Sequence, residues 1–183
     1  FGYLMTVRGY DNDAVLVTMA PVILILATGY FIGGSLGDVL FKRTKKGRII
    51  VASIGVLMGA IFLNFAMTTP VEARTQFFIF MCLTAVFMPL SSANVIATVY
   101  DITVPEVRST AQATEYFVVN TGAAFAPAIT GILAEAIGLS TAITVLCLTA
   151  WILCFFLYMG ALFFINGDIN TLRSQMAARA ETM

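Results

Sequence analysis

The sequence predicts an all-α, polytopic membrane protein with five complete transmembrane helices plus the end of a preceding one. Three observations predict it. Hydrophobic residues fill 60% of the 183 positions and charged residues only 11%, too few to cover the surface of a soluble domain of this size. The mean hydropathy is +0.93. The charges also gather between apolar runs, each long enough for a bilayer core, which takes about 20 residues.

Taken in order, Phe1–Val7 reads as the last two turns of a span whose body lies upstream. No basic region followed by a short apolar core opens the chain, so it is not a signal peptide, and the sequence is expected to begin inside a longer protein. Segment 1–13 is then a helix end and an outer loop. The uncharged runs bounded by Asp13 and Asp38, by Arg48 and Glu72, and by Arg74 and Asp101 predict spans at 14–40, 48–69 and 76–100. Glu115, Glu135 and Asp168 bound two more runs, giving spans at 109–136 and 140–166. Segment 14–166 therefore holds the spans, and 167–183 is a polar tail.

Short connections make neighbouring spans antiparallel, so the loops alternate sides. Lys42, Arg43, Lys45, Lys46 and Arg48 fall on one side together with Arg108, Arg173 and Arg179. Only Arg8 and Arg74 fall on the other. The positive-inside rule places the 41–48 loop, the 101–108 loop and the C-terminal tail in the cytoplasm, with the spans in the cell (inner or plasma) membrane among its lipids.

The spans differ in character. Those at 48–69 and 140–166 have almost no strongly polar groups, Asn64 excepted, and no internal proline, and read as peripheral. The other three each hold an internal proline, Pro21, Pro89 or Pro127, which removes a backbone hydrogen bond and bends the helix. These read as central, although proline is also simply commoner in membrane helices. In 76–100, Thr84, Phe87, Ser91, Asn94, Thr98 and Asp101 recur at steps of three and four and so share one helix face. Such a stripe faces protein or a water-filled cavity; alternatively its hydroxyls bond back to their own helix carbonyls. Asn94 is harder to satisfy that way. Gly29, Gly33 and Gly37, and Gly55 with Gly59, form close-packing faces that say nothing of a ligand.

Span 109–136 carries Gln112, Glu115, Tyr116 and Asn120. Glu115 lies seven residues past Arg108, about 10 Å into the membrane. A carboxylate there costs on the order of 2.5–3.5 kcal/mol on insertion scales. Proton coupling and a structural hydrogen bond near the interface explain it equally well. Phe87, Ser91, Asn94, Thr98, Gln112, Tyr116 and Asn120 are the candidate cavity residues, and Glu115 the candidate proton carrier. The near-absence of charge in the stripe points to a neutral or weakly charged small-molecule solute.

Several classes are excluded. The net charge is zero, so no basic field invites nucleic acid. Histidine is absent, and with it the commonest general base and metal ligand. Cys82, Cys147 and Cys154 lie inside apolar runs without CxxC spacing, so neither disulfides nor a metal is expected, and no cofactor. No paired carboxylates or nucleophile–base spacing marks an enzyme, and no filter motif marks a channel.

Gly34-Ser35-Leu36-Gly37-Asp38, followed by Lys42-Arg43 and Lys45-Lys46-Gly47-Arg48, resembles the cytoplasmic loop signature of the major facilitator superfamily. That signature reads Gly-x-Leu-x-Asp, then basic and glycine residues ending in Gly-Arg. Asp101-x-x-x-Pro105-x-x-Arg108 resembles the acid–proline–arginine pattern between that family's tenth and eleventh helices. Val39 stands where a basic residue often follows the aspartate, and the basic stretch is about three residues longer than usual for the family. The loop is similar to that of spinster-like and organic-anion members.

The resemblance implies the C-terminal half of a twelve-helix transporter, with Phe1–Val7 ending helix seven and the five spans as helices eight to twelve. It implies a secondary active transporter of a small solute, ion- or proton-coupled, whose cavity is completed by the missing N-terminal half. It also implies a cytoplasmic gate network of Gly34, Asp38, Lys42, Arg43, Asp101 and Arg108, in which Asp38, Arg108 and Asp101 latch the gate. Asp38 sits at the unfavourable, negative end of its helix dipole and needs a cation; Lys42 is the nearest candidate and Arg108 the second. The competing reading is a membrane-embedded subunit, assembly factor or solute sensor that kept the fold without transport.

Overall fold

In the computed structural model, which describes residues 1–181, the apolar runs fold as five long helices. A short α1 (Gly2–Thr6) precedes α2 (Asn12–Phe41), α3 (Gly47–Thr68), α4 (Arg74–Asp101), α5 (Arg108–Ile137) and α6 (Leu139–Glu181). A single 3-10 turn, Pro105–Val107, leads into α5, and no strand is present among the described residues. Asp11 starts α2 by accepting a hydrogen bond from the Ala14 amide at 2.8 Å. Gly138, at φ +82°, joins α5 to α6 in one residue, a conformation that a Cβ would strain.

Helix α4 is the hub, packed most extensively on α3 and then on α2. The glycine faces make this possible. A Cβ on Gly33 would stand 2.6 Å from the Leu90 Cα, and one on Gly55 would stand 2.8 Å from the Leu90 Cβ. Leu90, 4% exposed, is thus gripped between α2 and α3. A Cβ on Gly29 would lie 2.7 Å from the Val86 carbonyl oxygen, and Gly37 faces the Asn94 amide. The spacing of four residues keeps all three α2 glycines on one face, so the two backbones approach along its length.

Two features differ from the sequence expectation. Helix α3 is the inner helix of this bundle and not a peripheral one: it packs on α4, α6 and α2, and it is the span with the largest buried share. Its apolar character reflects burial against protein as much as against lipid. Within this chain, helix α5 buries none of its described residues. The tail also departs from a simple polar extension. Helix α6 runs unbroken through Gly167 to Glu181, and positions 182–183 of the predicted tail lie outside the described residues. Its 43 residues span about 65 Å, roughly twice a bilayer core. Strong helix formers from Gln175 to Ala180 sustain it, and Ile165 and Ile169 anchor it by packing on Ile49.

At the end away from the basic loop, α1 is tied down by Arg8. The residue is 2% exposed, and its guanidinium donates to the Thr69 and Pro70 carbonyls past the end of α3 and stacks on Phe77 at 3.9 Å. A cation at a helix C-terminus meets orphan carbonyls and the negative end of the dipole, which is how this charge is accommodated.

Candidate functional site

Two features stand out: a charged cluster at the basic end and a cavity between four helices. The cluster begins with Gly47. A Cβ there would fall 2.5 Å from Leu40 and Phe41 backbone atoms, so only glycine lets α3 start against the last turn of α2. That turn delivers Arg48 to both acids. Its guanidinium bonds Asp38 Oδ1 at 2.8 Å, pairs with Asp101 Oδ2, and donates to the Ala97 carbonyl at 3.2 Å. It also lies over the Phe41 ring at 4.4 Å. One planar fork thereby joins the ends of α2, α3 and α4.

The cation beside Asp38 is therefore Arg48, and neither Lys42 nor Arg108. Lys42 and Arg43 are exposed on the turn. Arg108 is held elsewhere, donating from Nε to the Thr103 carbonyl at 3.3 Å and from its terminal nitrogen to the Tyr100 carbonyl at 3.1 Å. It caps the end of α4, beside the Tyr100 ring. Gly34 faces open space, with nothing within 4 Å of a built Cβ. Arg48 was missed because the loop offers five basic residues; its signal was the Gly-Arg that closes the loop pattern.

The cavity holds about 400 Å³ and takes one wall from each of α2, α4, α5 and α6. Of the sequence candidates, Ser91, Glu115 and Tyr116 line it, joined by Tyr30, Ser92 and Tyr158. Ser91 and Tyr158 share a hydrogen bond of 2.8 Å across α4 and α6. The Tyr100 hydroxyl bonds Gln112, whose Nε2 in turn donates to the Tyr116 hydroxyl at 3.2 Å. Gln112 thus orients Tyr116 from behind. Tyr158 and Tyr30 were missed; a hydroxyl deep in an otherwise apolar span is the signal that finds Tyr158.

The remaining candidates lie apart from this cavity. Asn94, 1% exposed, donates to the Gly33 carbonyl at 2.9 Å and the Leu90 carbonyl at 2.8 Å, bonding α4 to α2. Thr98 bonds back to the Asn94 carbonyl at 2.7 Å and Thr84 to that of Phe80 at 2.8 Å, as helix hydroxyls do when no partner faces them. Phe87 stacks on Phe62 of α3 at 5.4 Å. Asn120 is exposed on α5 and bonds the Tyr116 carbonyl at 2.7 Å.

The three cysteines are free, and among the described residues no cluster of His, Cys, Asp or Glu is arranged to hold a metal. No curated protein and no solved structure gives a match. The family model of the Major Facilitator Superfamily matches residues 3–175. Five apolar helices of spanning length, an acid–arginine–acid cluster closing the loop between the first two, and that match across nearly the whole sequence make this chain a membrane transporter of the Major Facilitator Superfamily.

Proposed function

We propose that this chain is the C-terminal half of a secondary active transporter that moves a small solute by alternating access, driven by a proton or other ion gradient. The basic loop and the C-terminal end of α6 face the cytoplasm, in a cell membrane. A complementary N-terminal half completes the pathway, docking on the faces of α2 and α5 that this half leaves uncovered. The observation that carries the proposal is the cavity itself. It opens among four helices of spanning length, with half-buried Glu115 on its wall and no ion partner for that residue among the described residues. A scaffold has no use for such a group, which costs free energy to keep there.

In this reading the arginine cluster organises the cytoplasmic ends of α2, α3 and α4 into one rigid edge. Asp38, with its side chain 61% exposed, remains available to contacts from the facing half. Such contacts form when the cytoplasmic side is closed and break as it opens, coupling the gate to rocking of the two halves.

Counterflow in proteoliposomes of the whole transporter tests this. Asp38→Asn is expected to lower the transport rate several-fold with KM largely unchanged, because it alters the gate and not the cavity; an unchanged rate removes the gate from the account. Glu115→Gln is expected to uncouple uptake from a pH gradient. Uphill uptake that still follows the gradient makes Glu115 structural. Absence of transport under every ion gradient leaves the subunit, assembly-factor or sensor reading instead.

A further inference from the structure

The sequence stripe pointed to a neutral or weakly charged solute, yet the charges around the cavity point elsewhere. Among the side chains that line it, Glu115 alone carries a formal charge. Every arginine and lysine lies outside that wall. Arg48 and Arg108 are engaged at the basic end, Arg8 and Arg74 belong to the opposite end, and the remainder sit on the loop or the far part of α6. On the wall that this half supplies, an anion meets a carboxylate and no counter-charge. A cation meets a carboxylate with no ion partner among the described residues, and the attraction between them grows as water is displaced.

The aromatic lining acts in the same sense. Tyr30, Tyr116 and Tyr158 come from three different helices and converge on one space. Each ring face is electronegative and attracts a cation by about 0.5–2 kcal/mol, more as water is excluded. Val95, Ile96 and Val119 complete the walls with apolar surface, which suits the body of a ligand and not a small hydrated ion. The Ser91–Tyr158 pair and the Gln112–Tyr116 contact hold two of the three rings in place, so the cage exists before a ligand arrives.

We propose that the solute recognised here is an organic cation with an apolar body, its charge set against Glu115 within the tyrosine cage. The proposal rests on the transporter reading for its meaning as a substrate, but the binding chemistry stands separately. Two probes separate the possibilities, tetraphenylphosphonium and tetraphenylborate, which share a four-phenyl shell and differ in the sign of charge.

Equilibrium binding to the purified whole transporter in detergent micelles is expected to favour the phosphonium over the borate by about tenfold or more, the equivalent of roughly 1.4 kcal/mol. Glu115→Gln should erase that preference. Tyr158→Phe, which keeps the ring, should bind the phosphonium within about threefold of the parent, whereas Tyr158→Leu should weaken it further. Equal or tighter binding of the borate, no binding of the phosphonium, or a preference that survives Glu115→Gln overturns the proposal. The wild-type comparison stands even where a variant fails to fold. Saturable phosphonium binding without counterflow supports the cation site and sinks the transporter reading. Counterflow of anionic or neutral solutes with no phosphonium binding does the reverse.

Discussion

Gly33→Leu is expected to prevent the bundle from assembling, while Gly34→Leu, one residue on, leaves its stability unchanged. The difference lies in what a side chain meets. At Gly33 a first carbon would already stand 2.6 Å from the Leu90 Cα, a backbone atom of α4 that cannot move without carrying the helix along. Leu90 has nowhere to retreat, because Gly55 of α3 closes on it from the other side. Separating α2 from α4 would also break the bond from Asn94 to the Gly33 carbonyl, orphaning a buried amide. At Gly34 nothing lies within 4 Å. The milder Gly33→Ala isolates the contact. Overpacking of this kind costs about 1–3 kcal/mol, which for a chain of this length lowers the melting midpoint by roughly 2–12 °C. Thermal unfolding in detergent, followed by gel filtration, reads it directly. An alanine variant that melts with the parent would show that the helices are not in contact along this face.

What the sequence disclosed here, and what it concealed, follows from the same geometry. The glycine spacing was readable because four-residue repeats of small residues have one common consequence, close approach of helix backbones. Leu90 was not readable as the knob between them, since a leucine in an apolar helix looks the same wherever it points. Asn94 announced that it needed a partner, but only the fold shows that the partner is a carbonyl of α2 and not a cavity. The polar stripe split for a simple reason: residues three and four apart share a face, yet that face is wide enough to meet more than one neighbour. Ser91 turns to Tyr158 of α6, while Asn94 and Thr98 turn to backbone groups. Tyr158 was hidden by its surroundings, because an apolar span reads as lipid-facing until its helix is seen packed on α3. Glu115 was legible from its depth alone. That it faces a cavity is a property of four helices together.

Arg48→Gln is expected to be the most damaging single change at the basic end, lowering both stability and transport rate, whereas Arg108→Gln leaves the two acids paired. The asymmetry comes from what each guanidinium holds. Arg108 caps carbonyls of Tyr100 and Thr103 and touches no acid within ion-pair distance among the described residues. Arg48 holds two carboxylates, and their environments differ. The Asp101 side chain is 20% exposed and that of Asp38 is 61% exposed. Once Arg48 is gone, Asp38 finds water and loses little, while Asp101 is left partly buried without a cation, a loss of about 1–3 kcal/mol. A double-mutant cycle should therefore return a larger coupling energy for Arg48–Asp101 than for Arg48–Asp38. Asp101→Asn in the Arg48→Gln background should recover most of the stability, since it removes the stranded charge. It should not recover the rate, because the edge formed by α2, α3 and α4 still lacks its fork. Arg48→Lys should fall between, its single ammonium unable to engage both acids in the geometry of a planar guanidinium. Chemical unfolding and counterflow measured on the same preparations decide the matter. Equal couplings to the two acids would mean that burial does not set their strength, and a rate restored along with stability would reduce the cluster to a structural clasp.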